Sequence, residues 1–327
     1  MANIKSIAKL AGVSVTTVSR VLNNHPYVNE ATRQKVQHIM EKEGYKPNSS
    51  AVHLIKGQTD RVGVIVPNSH PYFQTILSGI MDEAAKSGYG TLLYQSRYET
   101  QEELKALQLL STKQIDGLIF CSRALELEAI AAYAKYGPIV TCEYTENEQI
   151  AAVYTDHYEA FQKGIQYLIQ HGHRAIGYCV GRPDSASSQA RYLAYKTLLH
   201  EQGEVLHPEW IFTDCTEIKD GIRVIDTLMK MKERPTALLV TGDEAAAGVI
   251  LRAQALGLRI PEDLAIIGFD NLPISEALGL TTIDQHLQEI GREAFRTFYN
   301  SRNVEVKDIA RSSKTVIPFE LVERSSV

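Results

Sequence analysis

Between Ser14 and Asn23 the chain places Thr16 and Arg20 four residues apart, flanked by Val15, Thr17 and Ser19. On a helix that spacing puts Thr16 and Arg20 on one face, with Val18, Val21 and Leu22 turned the other way. An Arg fork can donate to O6 and N7 of guanine, while Val and Thr methyls can touch the thymine methyl. Hydroxyls near a helix start, at the positive end of its dipole, suit phosphate. The chemistry on offer is selective contact with duplex DNA. Read without its surroundings, the same stretch would also serve a small structural helix pair with a solvated Arg20.

A second set follows apolar runs further along. Asn68, Ser69 and Phe73 come after Val62–Val66, Asp243 after Val240-Thr241-Gly242, and Asp270 with Asn271 after Ile267-Gly268-Phe269. Arg191 falls early in a helix that follows Gly181. Carboxylates, an amide, an Arg and an aromatic ring converging on one cleft would suit a small hydroxyl-rich molecule. Taken singly, such residues more often cap helices or form turns.

Other chemistries find no support. There is no GxGxxG after a strand, no GxxxxGK[ST] and no GxSxG. His171-Gly172-His173 sits at a helix-to-strand turn without a third ligand nearby. Cys121, Cys142, Cys179 and Cys215 are scattered without a CxxC pair and read as reduced, buried small hydrophobes. The expectation is therefore no enzyme, no metal and no cofactor.

The elements that must position the first set are short helices. Asn3 can cap Ile4–Ala11, Gly12 suits a left-handed helix end, and Ser14 caps Val15–Leu22 after a three-residue turn. Two helices around so tight a corner form the helix-turn-helix pattern. Asn29 caps a third helix to about Glu43, with Val36, Ile39 and Met40 inward. Residues 1–58 hold eight basic and three acidic side chains, a net +5; the remainder holds 26 basic and 36 acidic, a net −10. A basic head on an acidic body suits a polyanion that touches only the head. Residues 48–57 could make barely two helical turns, which are marginal in isolation. They fit either a pair of minor-groove helices with a Leu wedged between base steps or a flexible tether.

The second set needs a different frame. With 327 residues, 44% hydrophobic and 22% charged, the chain has room for a small head and a two-lobed body. From Arg61 apolar strands alternate with amphipathic helices: Val62–Val66, Thr91–Tyr94, Gly117–Phe120 and Ile139–Cys142, then Ile176–Val180, Ala237–Thr241 and Leu264–Phe269. Continuous apolar strands between helices imply parallel sheets covered on both faces. Two such series imply two lobes with a cleft at the strands' carboxyl ends. No apolar run approaches the ~20 residues needed to span a bilayer, and no secretory signal opens the chain. The expected location is the cytoplasm.

Residues 4–23, IKSIAKLAGVSVTTVSRVLN, closely resemble the head signature of the lactose/galactose repressor (LacI/GalR) family. The resemblance continues in order through GYKPN at 44–48, GVIVP at 63–67, DGLI at 116–119 and GHRAIG at 172–177. It closes with IPEDL at 260–264, IGFDN at 267–271 and LTTIDQ at 280–285. Within that family, residues 1–5 and 23–28 look closest to its catabolite-control branch.

The resemblance implies an α/β chain with a three-helix head over 1–47, a hinge helix over 48–59 and a periplasmic-binding-protein-like body over 60–327. The N-lobe would take about 60–156 and 286–315, the C-lobe about 157–285 and 316–327, with three crossings between them. Val15, Thr16 and Arg20 would read bases, while Thr17, Ser19 and Asn23 would hold phosphates. Leu54, beside Ala51, would be the minor-groove wedge. Phe73, Arg191, Asp243 and Asp270 occupy the family's usual effector-contact positions. A homodimer on a palindromic double-stranded operator, acting as a repressor of carbon-source genes on the bacterial nucleoid, is the implied function. The effector would be a sugar or sugar phosphate, or the serine-phosphorylated phosphocarrier protein of the sugar phosphotransferase system. The sequence departs from the family pattern at Ala194-Tyr195, where Gly-Phe is common, and at Ile55. It also lacks the long C-terminal leucine heptad of a tetramer.

Overall fold

The computed structural model describes residues 3–23, 25–45, 57–302 and 313–327. The expected hinge contacts Ala51 and Leu54 lie outside the described residues. Residues 1–59 and 60–327 form two compact units.

In the head, Asn3 and Ser6 cap α1 (Ile4–Ala11) reciprocally, each side chain accepting from the other's backbone N–H. Gly12 ends the helix at φ +66°, in the left-handed region that glycine enters without a Cβ clash. Ser14 Oγ accepts from Thr17 N–H at 3.0 Å to start α2 (Val15–Leu22). Asn29 accepts from Thr32 N–H at 2.8 Å to start α3 (Glu30–Lys42). Ile7, Ala8, Ala11, Val18, Val21 and Val36 fill the small core, with Leu22, Ile39 and Met40 half-buried around it.

The body begins with β1 (Arg61–Val66), α4 (Pro71–Lys86), β2 (Gly90–Gln95), α5 (Thr100–Ser111), β3 (Gly117–Phe120), α6 (Leu127–Ala131), β4 (Ile139–Thr141) and β5 (Ala151–Tyr154). The chain then builds a second lobe from α7 (His157–Gln170), β6 (Ile176–Cys179), α8 (Ala186–Glu201), β7 (Ile211–Phe212), α9 (Ile218–Leu228) and β8 (Ala237–Val240). It continues through α10 (Asp243–Ala255), β9 (Ala265–Phe269), α11 (Pro273–Ala277) and β10 (Thr281–Asp284). A return to the first lobe gives α12 (Leu287–Ser301) and β11 (Lys314–Val316), and β12 (Glu320–Val322) ends in the second.

The N-lobe sheet runs β11-β5-β4-β3-β1-β2 with every neighbouring pair parallel. The C-lobe sheet runs β12-β10-β9-β8-β6-β7, parallel except for β12 against β10. Strands such as Gly117–Phe120 and Ala237–Val240 are buried throughout, as a sheet with helices on both faces requires. In the N-lobe, Ile76, Ile80, Phe295 and Phe298 of α4 and α12 cover one face, and Leu107, Leu110 and Ile130 of α5 and α6 cover the other. In the C-lobe, α7 and α8 supply Phe161 and Tyr195 to one face, and α9 and α10 supply Ile225 and Val249 to the other. Gly79 and Gly291 let α4 and α12 touch backbone to backbone: a Cβ on Gly79 would lie 2.0 Å from the Gln288 carbonyl oxygen, and one on Gly291 2.0 Å from that of Ile76.

The chain passes between the lobes three times, after β5, after β10 and after β11. A cleft opens where the carboxyl ends of both sheets meet. Among the described residues, no helix is long and apolar enough to cross a membrane.

Candidate nucleic-acid interface and ligand cleft

Helix α2 sorts its two faces cleanly. Val18 and Val21 are buried against the other head helices, while Val15 is 41% exposed and Thr16, Arg20 and Asn23 are exposed. Thr17 and Ser19 are half-buried. The hydroxyl of Thr17 is 2.9 Å from that of Ser14, and Asn23 donates its amide to the Ser19 carbonyl at 3.0 Å. Those two bonds fix both ends of the exposed edge. The edge carries a guanidinium, a hydroxyl and two kinds of methyl on a rigid helix, the set that groove recognition needs.

The cleft of the body encloses about 370 Å³, lined by Asn68, Tyr72, Phe73 and Glu143 from the N-lobe and Arg191 and Asp270 from the C-lobe, among others. Arg191 reaches it from the second turn of α8, its guanidinium 4.6 Å above the Phe269 ring and Nη2 3.1 Å from His157 Nδ1. Because Arg only donates, His157 accepts at Nδ1 and carries its proton on Nε2. Burial, and then the Arg191 charge, hold His157 well below its ordinary pKa. Arg191 Nε and Thr241 Oγ1 are buried without a hydrogen-bond partner among the described residues, and both residues line the cavity. Buried polar atoms are rarely left unsatisfied, so two at one cavity wall suit a hydrogen-bonding ligand.

Asp270 sits at φ +119°, a conformation costly for any residue with a Cβ. Its N–H bonds the Ile283 carbonyl at 2.8 Å, and Gln285 Nε2 donates to Oδ1 at 2.6 Å. Burial raises this carboxyl well above the usual carboxylate range; the neighbouring Asp243 adds to the rise and Arg191 opposes it. Glu143 is raised by burial too, although Ser122 Oγ donates to it at 2.5 Å and Arg123 Nε lies 3.6 Å away.

Asp243 departs from the sequence expectation. It opens α10 but turns inward, fully buried, and is absent from the cavity wall. One oxygen accepts from Leu272 N–H and the other from the Thr282 hydroxyl, each at 2.7 Å. Burial pushes its carboxyl up to about 7. Its geometry is that of a brace joining α10 to β10, and Gly242 lines the cavity in its stead. The structure thus brings Phe73, Arg191 and Asp270 to one cavity and leaves Asp243 behind the wall.

Two cross-lobe clasps lie outside the sequence reading. Arg182 donates through both terminal nitrogens to the Arg123 carbonyl at 3.2 Å, and its guanidinium lies 3.9 Å over the Tyr98 ring. His70 accepts from Tyr72 N–H at Nδ1 and, through Nε2, bonds the Thr216 carbonyl at 3.0 Å. His70 follows β1, Tyr98 β2, Glu143 β4 and Arg182 β6, so the rule that flagged Asn68 and Asp270 could have found all four.

All four cysteines are buried and reduced. One trio among the described residues, Asp284, His286 and Glu320, brings potential ligand atoms within 4.8 Å of one another. It lies beside the second and third crossings, outside the cavity wall, and Asp284 is already engaged by Asn271 and by the His286 N–H.

Residues 3–48 match the family described as bacterial regulatory proteins, lacI family. Residues 59–324 match that described as periplasmic binding proteins and sugar binding domain of LacI family. The chain is 42% identical to the HTH-type transcriptional regulator YkvZ of Bacillus subtilis (strain 168), over 100% of both chains. It is 39% identical to catabolite control protein B of the same strain, covering 94% of this chain and 97% of that protein. Among solved structures, the lac repressor dimer bound to operator and the anti-inducer ONPF shares the fold at a TM-score of 0.86 and 23% identity, over 99% of this chain and 98% of that one.

Proposed function

The chain belongs to the lacI family of bacterial regulatory proteins, and we propose that it is a cytoplasmic, homodimeric repressor whose operator affinity is set by a small molecule in the interlobe cleft. As a family member it is a DNA-binding transcription regulator. The observation that carries the reading is the sorted helix α2, with Val18 and Val21 buried while Val15, Thr16, Arg20 and Asn23 face outward.

In this reading Val15, Thr16 and Arg20 read bases, and Thr17, Ser19 and Asn23 hold phosphates. Ala51 and Leu54 enter the minor groove. Residues 1–47 act as the head, 48–59 as the hinge and 60–327 as the effector and dimer body. Dimerisation is supported by the edge strand β2, which exposes Leu92 and Leu93 beside Met81 of α4, and by exposed Met229 and Leu251. An unpaired edge strand with apolar side chains calls for a partner surface. The cleft holds a sugar or sugar phosphate through Phe73, Arg191 and Asp270, and no catalytic role is assigned to it. The likeness to catabolite control protein B supports a second reading, in which the serine-phosphorylated phosphocarrier protein governs a wider set of carbon-source genes.

The test is fluorescence anisotropy on duplexes recovered by unbiased selection. The purified chain should prefer a palindrome, and Arg20→Ala should weaken binding to it by roughly 5- to 150-fold, the worth of one bidentate base contact. Equal, feeble affinity for every duplex would overturn the reading.

A further inference from the structure

The roots of β1, β2 and β3 lie at the opposite end of the N-lobe sheet from the cleft. Asp60, the first residue of the body unit, adopts φ +53°. Both of its backbone polar groups are held. Its N–H donates to Asp116 Oδ2 at 2.9 Å, and its carbonyl accepts from Gly90 N–H at 2.8 Å. Asp116 is itself anchored, since its own N–H bonds the Arg61 carbonyl at 2.8 Å. The same Asp116 oxygen also accepts from the Tyr89 hydroxyl, at 3.1 Å.

Tyr89 is in turn boxed by the far end of α12. Its ring meets Phe295, Phe298 and Tyr299 edge-on at centroid distances of 5.9, 5.6 and 5.7 Å. The guanidinium of Arg302 lies 3.5 Å over Tyr299. The near end of α12 starts at the crossing that carries Gln285, whose amide holds Asp270 at the cleft. A continuous line of contacts therefore runs from a cavity carboxyl, along one helix, to the amide of Asp60.

We propose that Asp116 is a positioning residue that fixes how the DNA-binding arm leaves the body, and that Tyr89 and α12 connect it to the cleft. The chemistry is specific to an acceptor. This half-buried N–H sits in a left-handed residue, and losing its acceptor would free both the position and the direction of the chain that precedes Asp60. The effect on operators rests on the regulator reading above, whereas the clamp itself does not.

The experiment uses the full chain as Asp116→Ala, Asp116→Asn and Tyr89→Phe. Amide hydrogen exchange at Asp60 is read in the free protein, and affinity is read on the selected duplex. Asp116→Ala should speed exchange at Asp60 and weaken operator binding, each by about ten-fold. Circular dichroism and the thermal midpoint of the body should stay near wild type. Asp116→Asn keeps an acceptor oxygen and should restore both readouts, which a requirement for bulk charge would not allow. Should Asp116→Ala not fold, Tyr89→Phe, which removes the hydroxyl and keeps the ring, carries the test with a smaller shift in the same direction. Unchanged Asp60 exchange in Asp116→Ala and Tyr89→Phe, or faster exchange with wild-type operator affinity, overturns the proposal. A wild-type chain that selects no duplex sinks the regulator reading, while the exchange arm still decides the clamp.

Discussion

Two side chains show how little a residue's type says until its neighbours are known. Arg191 and Asp243 both follow strands of the C-lobe, yet one faces the cavity with an unpartnered Nε and the other braces α10 from behind. Arg191→Ala should abolish the change in operator affinity caused by any sugar or sugar phosphate that acts on wild type, and leave unliganded operator binding intact. A surviving response would move control to the phosphocarrier partner. Asp243 makes a prediction about pH. Its carboxyl is raised in the folded chain to about 7, so folding favours the protonated form. That contribution is complete below the unfolded value near 4 and is lost as pH rises through 7. Asp270 is shifted the same way. Between pH 5 and 8, wild type should lose stability relative to Asp243→Asn, measured as urea midpoints. Parallel pH profiles would refute the shift. The sequence offered no means of separating these two residues, because the strand-end rule sees that a side chain follows a strand but not which way the first helical turn points it.

Among the elements, periodicity served best where burial is one-sided or complete. The faces of α2 follow from a 3.6-residue repeat, and β3 and β8 from unbroken apolar runs. The strands missing from the sequence reading have reasons to be missed. β5 opens on two alanines, β7 is two residues long, β10 is the mostly polar Thr281-Thr282-Ile283-Asp284, and β11 and β12 are three-residue edge strands of mixed exposure. Nor does a sequence disclose that Gly79 and Gly291, more than two hundred positions apart, share one helix crossing. Gly79→Ala would force a methyl against the Gln288 carbonyl, and carbonyl backbone cannot swing aside as a side-chain tip can. A loss of about 1–3 kcal/mol is expected, read from chemical unfolding. A wild-type midpoint would mean that α4 and α12 slide apart without cost.

At the scale of the whole body, the cleft is shut by Arg182 on Arg123 and Tyr98 at one place and by His70 on Thr216 at another. These partners come from different lobes, 59 and 146 residues apart for the hydrogen-bonded pairs, so no local pattern announces them. A two-state switch needs contacts made in one arrangement and absent in the other, and bonds that join residues of different lobes are the ones a lobe movement would break. His70→Ala with Arg182→Ala should open the unliganded body, seen as a larger radius of gyration by small-angle X-ray scattering. Identical scattering would mean that the three crossings alone set the closed shape.

Those crossings also bear on how the molecule is made. The first lobe is interrupted after β5 and regains α12 and β11 only near the end of the chain. A ribosome that has just finished β10 has released every part of the second lobe except β12, but has left the first without Phe295 and Phe298, which with Ile80 of α4 cover the face carrying Val62 and Val64. Emerging domains usually mature from the amino end. In this chain the lobe begun first must be completed late, and a message truncated a few dozen codons early would yield a polypeptide with a bare aliphatic sheet, a substrate for chaperones and proteases.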